Sequence, residues 1–309
     1  MAKIILCIAT CNRPQGLRRT LDSIAALNTR HQLEVLVADN DAQRQEGMAV
    51  VEELASHGYR WPIEGLVAPE RGIPLVRNAL VQAALARPGM THVAMLDDDE
   101  AASPAWIDAL IDAARRWSAD VVGGAVLREM DSAVAPWAAR HPLLQAKRRG
   151  KSGPVNMVDS TANVLIAASA LRAMGERPFD ERMALTGGSD KQLFTRMAAR
   201  GFGFAWAEDA IVTELIPASR VTAKWLLMRG YRLGMTDMMV ERFDKGRLRA
   251  LVKEAPRIAA GFAFGAVGGV VTLDRGKRVV RLGKLYRAVG KIAGLAGIHY
   301  EEYRKVHGA

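Results

Sequence analysis

Four acids stand in a row at Asp97-Asp98-Asp99-Glu100, directly after the apolar run Thr91-His92-Val93-Ala94-Met95-Leu96. An apolar run of that length bounded by polar residues reads as a buried strand, and buried parallel strands present ligand groups at their carboxyl ends. Adjacent carboxylates repel one another and are costly to bury, so this run asks for a neutralising cation or a cationic partner. Hard oxygen donors suit Mg2+ or Mn2+, and one or two carboxylates joined by substrate phosphates is the usual magnesium arrangement. The alternative is a solvated turn that caps the helix beginning near Pro104, because acids are favoured at helix N-termini.

Other polar groups fall at comparable places. Thr10, Asn12 and Arg13 follow the apolar stretch Lys3 to Ala9, and Asp39-Asn40-Asp41 follow Leu33 to Ala38. Asp190 follows Gly187-Gly188-Ser189 at the start of a helix whose Leu193, Phe194 and Met197 face inward. A carboxylate at that position is either a helix cap or a general base aimed into a cleft. The chain has neither a G-x-G-x-x-G nor a Walker stretch, so a metal would have to neutralise any bound phosphate.

These groups need elements to position them, and the first ninety residues alternate strand and helix. Strands are expected at Lys3 to Ala9, Leu33 to Ala38, Gly65 to Ala68 and Thr91 to Leu96, with helices at Pro14 to Leu27, Met48 to His57 and Leu75 to Ala86. A helix at Ala105 to Trp117, strands at Asp120 to Val126 and Thr161 to Ile166, and a helix at Ala168 to Met174 follow. The order predicts an α/β fold with a doubly wound, mostly parallel sheet and ligands at the strand ends. Residues 131–157 are less regular and hold the basic run Lys147-Arg148-Arg149-Gly150-Lys151, which reads either as a lid over a phosphorylated substrate or as a solvated charge run.

Composition is globular, with 50% hydrophobic and 25% charged residues over 309 positions and a net charge of +10. The charge is segregated. Lys and Arg number 24 against 26 Asp and Glu over residues 1–217, and 19 against 7 over residues 218–309. A near-neutral body with a basic tail points to an anionic surface, phospholipid before nucleic acid, since no nucleic-acid motif accompanies the charge. Cys7 and Cys11, read as four apart on one strand, cannot form an ordinary disulfide and are expected to be reduced thiols, which suits the cytoplasm. Without His at ligand spacing they do not suggest zinc. The N-terminal apolar stretch is too short for an export signal.

Taken together, Ala9-Thr10-Cys11-Asn12-Arg13-Pro14, Ala38-Asp39-Asn40, Gly72-Ile73-Pro74-Leu75-Val76-Arg77-Asn78-Ala79, Leu96-Asp97-Asp98-Asp99-Glu100 and Gly187-Gly188-Ser189-Asp190 resemble the family-2 inverting glycosyltransferases of the GT-A fold, over roughly residues 3–235. The Asp-x-Asp alone is weak, but five motifs in the family's order are strong. The resemblance implies that Thr10, Asn12, Arg13 and Asp39 hold the nucleotide base and ribose, with Arg77 beside them. It implies that Asp97, with Asp98, faces the nucleotide sugar, that Asp99 binds the metal bridging its phosphates, and that Asp190 deprotonates an acceptor hydroxyl. Two departures stand out. The family commonly has Glu-Asp where this chain has Ser189-Asp190, and many members have a metal-ligating His where this chain offers Glu214. Glu214 is a candidate ligand for Mg2+ or Mn2+ or, alternatively, an ordinary strand-end charge. The run Glu214, Arg220, Trp225, Arg229 and Gly234 resembles the branch that builds bacterial exopolysaccharides and surface glycans on lipid carriers, with UDP the commonest donor nucleotide.

A catalytic domain is thus expected over 1–220 and a helical basic region over 221–309. Ile258 to Leu273 is an apolar stretch shorter than the roughly 20 residues that span a bilayer. Arg278, Arg281, Lys284, Arg287 and Lys291 recur at helical spacing opposite Val279, Val280, Leu282, Leu285, Val289 and Ile292, the pattern of an interfacial helix with a cationic face. The alternative is a helical subdomain packed on the body or against a second subunit in a homodimer. The expected setting is peripheral, at the cytoplasmic face of a bacterial inner membrane, with a nucleotide-sugar donor and a lipid-linked saccharide acceptor. A metal-dependent nucleotidyltransferase or phosphodiesterase, and a non-catalytic nucleotide-sugar-binding scaffold, are the rival readings.

Overall fold

In the computed structural model, which describes residues 1–298 and 300, the alternating residues of the first strand fill two cores. Residues 299 and 301–309 of the basic region expected over 221–309 lie outside the described residues. The strands are β1 (Lys3–Thr10), β2 (Gln32–Asp39), β3 (Ile63–Val67), β4 (His92–Asp97), β5 (Glu100–Ala102), β6 (Val121–Met130), β7 (Gly153–Val155), β8 (Val164–Ala167) and β9 (Phe204–Ile216). The helices are α1 (Pro14–Ala25), α2 (Glu46–Ser56), α3 (Ile73–Leu85), α4 (Trp106–Arg116), α5 (Pro136–Ala139), α6 (Ala168–Ala173), α7 (Ser189–Ala199), α8 (Ala223–Lys245), α9 (Arg247–Phe262), α10 (Gly268–Val271) and α11 (Arg275–Ala296). Ile4, Leu6 and Ile8 of β1 join Leu17, Leu21 and Ile24 of α1 and Trp106, Leu110 and Ile111 of α4. Ile5 and Cys7 join Val76 and Leu80 of α3 and Leu193, Phe194 and Met197 of α7 on the opposite face. The two-residue strand period thus feeds both layers of helices, and the sheet is buried on both sides.

All nine strands share one sheet in the order β3-β2-β1-β4-β8-β6-β9-β5, with β7 also on β9. β1 is parallel to β2 and β4, β2 to β3, and β6 to β9. The short β8 runs antiparallel between β4 and β6, and β5 and β7 run antiparallel to β9. From β1 the chain builds β2 and β3 to one side and β4 to the other, so a crevice opens at the carboxyl ends of β1 and β4. Ala9 and Asp97 sit opposite each other there.

Three sequence expectations change. β1 closes at Thr10, so Cys11 lies beyond the strand rather than on it, and both cysteines are free. β6 continues to Met130 instead of ending near Val126, because its outer half pairs with β9 as far as Ile216. In the basic region, the cations expected along one exposed face of α11 divide. Lys291 is buried and, with the half-exposed Arg287, meets Asp237, while Val289 and Ile292 remain exposed. The reason is backbone proximity: a Cβ on Gly290 would lie 1.9 Å from the Tyr231 carbonyl oxygen, and one on Gly234 1.9 Å from that of Arg287. Only glycine allows α8 and α11 to meet so closely, and this contact sets which face of α11 is buried. The apolar stretch expected over Ile258 to Leu273 is helical, passing from α9 through a π-helical turn at Ala263–Val267 into α10. No helix among the described residues is long and apolar enough to cross a membrane.

Candidate active site

A cleft of about 720 Å³ opens at the crevice between β1 and β4. The acid run forms its floor because β4 ends at Asp97 and the chain turns directly into β5. Asp98 points into the fold, where Thr10 Oγ1 donates to one carboxylate oxygen at 2.8 Å and Arg13 to the other at 2.9 Å. Arg13 also donates to Asp99 at 3.1 Å. Glu100 is buried and accepts from the Asp97 amide at 3.1 Å. Burial, then Asp97 and Asp99 nearby, raise the Glu100 pKa well above its ordinary value. Asp97 is pushed up to about 7, by burial on the cleft floor and by Asp99, Asp190 and Asp98, against the opposing pull of Arg77. Arginine supplies part of the expected neutralisation: Arg13 meets Asp98 and Asp99, Arg77 meets Asp97, and Arg220 meets Asp99.

Arg77 reaches the cleft from the first half of α3, a helix oriented by Asn40. The Asn40 side chain donates to the Ala68 and Glu70 carbonyls at 3.2 and 2.8 Å and accepts from the Gly72 amide at 2.8 Å. Gly72 immediately precedes α3. The Arg77 guanidinium then bridges two acids, Asp97 at 3.3 Å and Asp190, which lie on different elements. Asp190 sits in the first turn of α7, behind the left-handed Gly188. It accepts from Thr161 Oγ1 at 3.2 Å and from Ser189 Oγ at 3.3 Å. Ser189 is fully buried and supplies a hydrogen-bond donor to the carboxylate where the resemblance leads one to expect a second acid.

Glu214, on β9, pairs across the sheet with Glu100 of β5. Its carboxylate meets Arg128 at 3.0 Å and Arg220 at 3.6 Å, and Arg220 also reaches Asp99 at 3.4 Å. Asp99 and Glu214 thus share one guanidinium, so the space between them already favours positive charge. Their oxygen donors fit Mg2+ or Mn2+. Among the described residues no group of three or more His, Cys, Asp or Glu is arranged to hold a metal.

Thr10, Arg13, Arg77, Asp97, Asp98, Asp99, Asp190 and Glu214 all line this cleft. Asn12 and Asp39 do not. Asp39 is fully buried and accepts from the Asp41 and Gly47 amides at 2.9 and 2.7 Å, which fixes the start of α2; burial raises its pKa. Asn12 lies beside the cleft in a left-handed conformation, with its buried Oδ1 lacking a hydrogen-bond partner among the described residues. Of the basic run, Lys147 lines the cleft, whereas Arg148 ion-pairs with Glu208 at 2.7 Å. Sequence reasoning does not single out Arg128 or Thr161. Arg128 anchors the irregular segment by donating to the Leu143 and Gln145 carbonyls at 2.9 and 2.8 Å, and its one sequence signal is a charge just past the apolar core of a strand. Asp180 and Glu208, acids near Asp190 in sequence, do not line the cleft: Asp180 is held by Arg182, and Glu208 by Arg148, Trp206 and the Arg149 amide.

Residues 5–175 match the family model for Glycosyl transferase family 2. The succinoglycan biosynthesis protein ExoM of Rhizobium meliloti (strain 1021) is 31% identical over 312 residues, covering 96% of this chain and 94% of that protein. Among solved structures, the mannosyltransferase PcManGT of Pyrobaculum calidifontis, in complex with GDP-Man and Mn2+, superposes with a TM-score of 0.59 at 19% identity over 94% of this chain and 86% of its own. S. aureus TarS 1-349 in complex with UDP gives 0.52 at 13% identity, over 96% and 92%. The chain spans 54% of the longer TarS structure. At these identities the structural likenesses carry the fold.

Proposed function

We propose, because this chain belongs to glycosyl transferase family 2, that it transfers a hexose from a nucleotide sugar, a UDP-sugar in the first instance, to a hydroxyl of a lipid-linked saccharide during exopolysaccharide or surface-glycan assembly. The observation that carries this reading is the convergence of the Asp97 to Asp99 run and Asp190 on one cleft, tied together by Arg77. The similarity to ExoM supports the choice of pathway class, and the UDP and GDP-Man complexes of the structural neighbours support a nucleotide-sugar donor.

In this reading Asp190 takes the proton of the acceptor hydroxyl as its oxygen attacks the anomeric carbon. The new carbon–oxygen bond forms opposite the breaking bond to the diphosphate, which inverts that centre, and the nucleoside diphosphate leaves with the bonding electron pair. Arg77 holds Asp190 in line, and Thr161 and Ser189 fix its rotation. Asp97 faces the donor sugar, and Asn12 offers an unpaired buried acceptor beside the nucleotide end. Asp99, with Glu214 as a further ligand, would hold Mg2+ or Mn2+, which would supply positive charge to the departing diphosphate. Residues 1–220 form the catalytic part, and residues 221–309 seat it peripherally on the cytoplasmic face of an inner membrane.

The test is Asp190→Asn, which keeps shape and hydrogen bonding but cannot accept a proton. Turnover of a nucleotide sugar should fall by about a hundredfold or more, with UDP affinity at the parent level. Near-parental turnover would place the base elsewhere.

A further inference from the structure

A second cavity, also of about 720 Å³, lies between α7, α8, α9 and α11. Among the described residues its walls carry seven cations and three acids. Each acid is shared. Asp237 meets Lys191, Arg287 and Lys291; Glu254 meets Lys291 and Arg257; Glu241 meets Lys245 and Lys253. Lys284 meets no acid among the described residues. Among the described residues the cavity therefore keeps an excess of four positive charges after internal pairing, in a place where several of the groups are already withdrawn from water: the Lys291 side chain is only 6% exposed. Charge held this way is best neutralised by a polyanion of matching size, and phosphate oxygens accept from Lys and Arg with charge-assisted strength.

Two further features restrict what carries the phosphate. Phe264 lines the cavity yet is 67% exposed, and it begins a run of exposed apolar side chains at Val267, Val270, Val271 and Leu273. A hydrocarbon chain attached to the phosphate would lie along them. Lys191, Asp237 and Arg287 line both this cavity and the cleft, and Lys191 is the neighbour of Asp190. The partition between the two spaces is thus a single layer of side chains. We propose that this second cavity binds the diphosphate of the lipid-linked acceptor, its hydrocarbon chain leaving past Phe264 and its saccharide reaching over the Lys191–Asp237–Arg287 wall toward Asp190. The inference rests on the glycosyltransferase reading above and adds the place where the acceptor is held.

Calorimetric titration of the full chain with three probes tests it, with UDP and Mg2+ saturating the cleft: farnesyl diphosphate, farnesol and inorganic pyrophosphate. Farnesyl diphosphate should bind and the other two should bind at least about tenfold more weakly, since each lacks one of the two recognised parts. Lys253→Gln with Lys284→Gln removes two exposed cations while leaving every acid partnered, and should weaken farnesyl diphosphate binding by about tenfold or more, with UDP affinity and melting temperature unchanged. Unaltered affinity in that variant overturns the proposal. Equal binding of pyrophosphate, or of farnesol, overturns it too, by leaving a free-phosphate site or an apolar one. Loss of farnesyl diphosphate binding when UDP is added places the probe in the cleft and overturns it as well. Failure of UDP to bind, with farnesyl diphosphate binding retained and lost in the double variant, would instead count against the donor reading alone.

Discussion

Arg220 presents one guanidinium to both Asp99 and Glu214, and this arrangement makes the metal question answerable by single substitutions. Asp99→Ala should leave Arg13 and Arg220 able to hold phosphate but remove the first of the two proposed metal ligands. Divalent-dependent UDP binding should drop by about ten- to a hundredfold, the size of a lost charge-assisted contact, with little change in melting temperature. Glu214→Ala should weaken the metal dependence and Glu214→His should restore it. Calorimetry with Mg2+ and Mn2+, with and without excess chelator, reads both outcomes. Full turnover in chelator would remove the metal from the mechanism, and parental behaviour of both Glu214 variants would leave that residue as a partner of Arg128 and Arg220 alone.

Among elements, the junction of α7, α8 and α11 concentrates its energy in Asp237. Burial by itself would raise the pKa of this acid, but Lys191 and Arg287 outweigh it and hold it at about 2. A folded-state pKa below the ordinary value gives stability that is present above that ordinary value and is lost as pH falls through the folded one. The expected contribution is about 2 kcal/mol at neutral pH, disappearing between about pH 4 and pH 2. Asp237→Asn leaves Lys191, Arg287 and Lys291 around an uncharged amide and should cost about 3 kcal/mol or more at pH 7. Denaturant unfolding of both proteins from pH 7 downward should show the gap narrowing in the acid range. A gap that stays constant with pH would mean that the loss is one of packing rather than charge.

For the whole molecule, charge and apolar exposure coincide. Apart from Met1, every exposed large hydrophobic side chain among the described residues lies beyond Arg247, in the region where Lys and Arg outnumber Asp and Glu by 19 to 7. Truncating the chain near Arg242 would strip α11 from α8 and uncover its buried methionines, so point substitutions are the cleaner probe. The full chain should sediment with vesicles containing phosphatidylglycerol, less so in high salt, because each cation near such a surface contributes about 1 kcal/mol before screening. Replacing Phe264, Val270 and Leu273 by Asn should lower vesicle affinity by about a hundredfold or more, given about 1.5 kcal/mol or more per buried apolar side chain. Equal binding to neutral vesicles would remove the electrostatic part, and absence of binding to either would favour a second copy of the chain against the same surface.

What the sequence by itself determined was local and periodic. The two-residue alternation of β1, the helical spacing in α1 and α7, and the position of Asp97 to Asp99 after an apolar run were all legible, because backbone geometry ties side-chain direction to spacing along one element. Their order along the chain was enough to predict a mostly parallel sheet with ligands at its strand ends, while the role of Asp190 came only with the family resemblance. The tertiary structure alone decided which charge meets which. Arg77 joins Asp97 to Asp190, Arg220 joins Asp99 to Glu214, Asp39 accepts from the Gly47 amide at the start of α2, and Arg287 and Lys291 meet Asp237. Ion pairs between residues tens of positions apart leave no periodic trace, and the buried face of α11 was set by the close approach of two backbones at Gly234 and Gly290 rather than by the larger apolar side chains that its spacing displays.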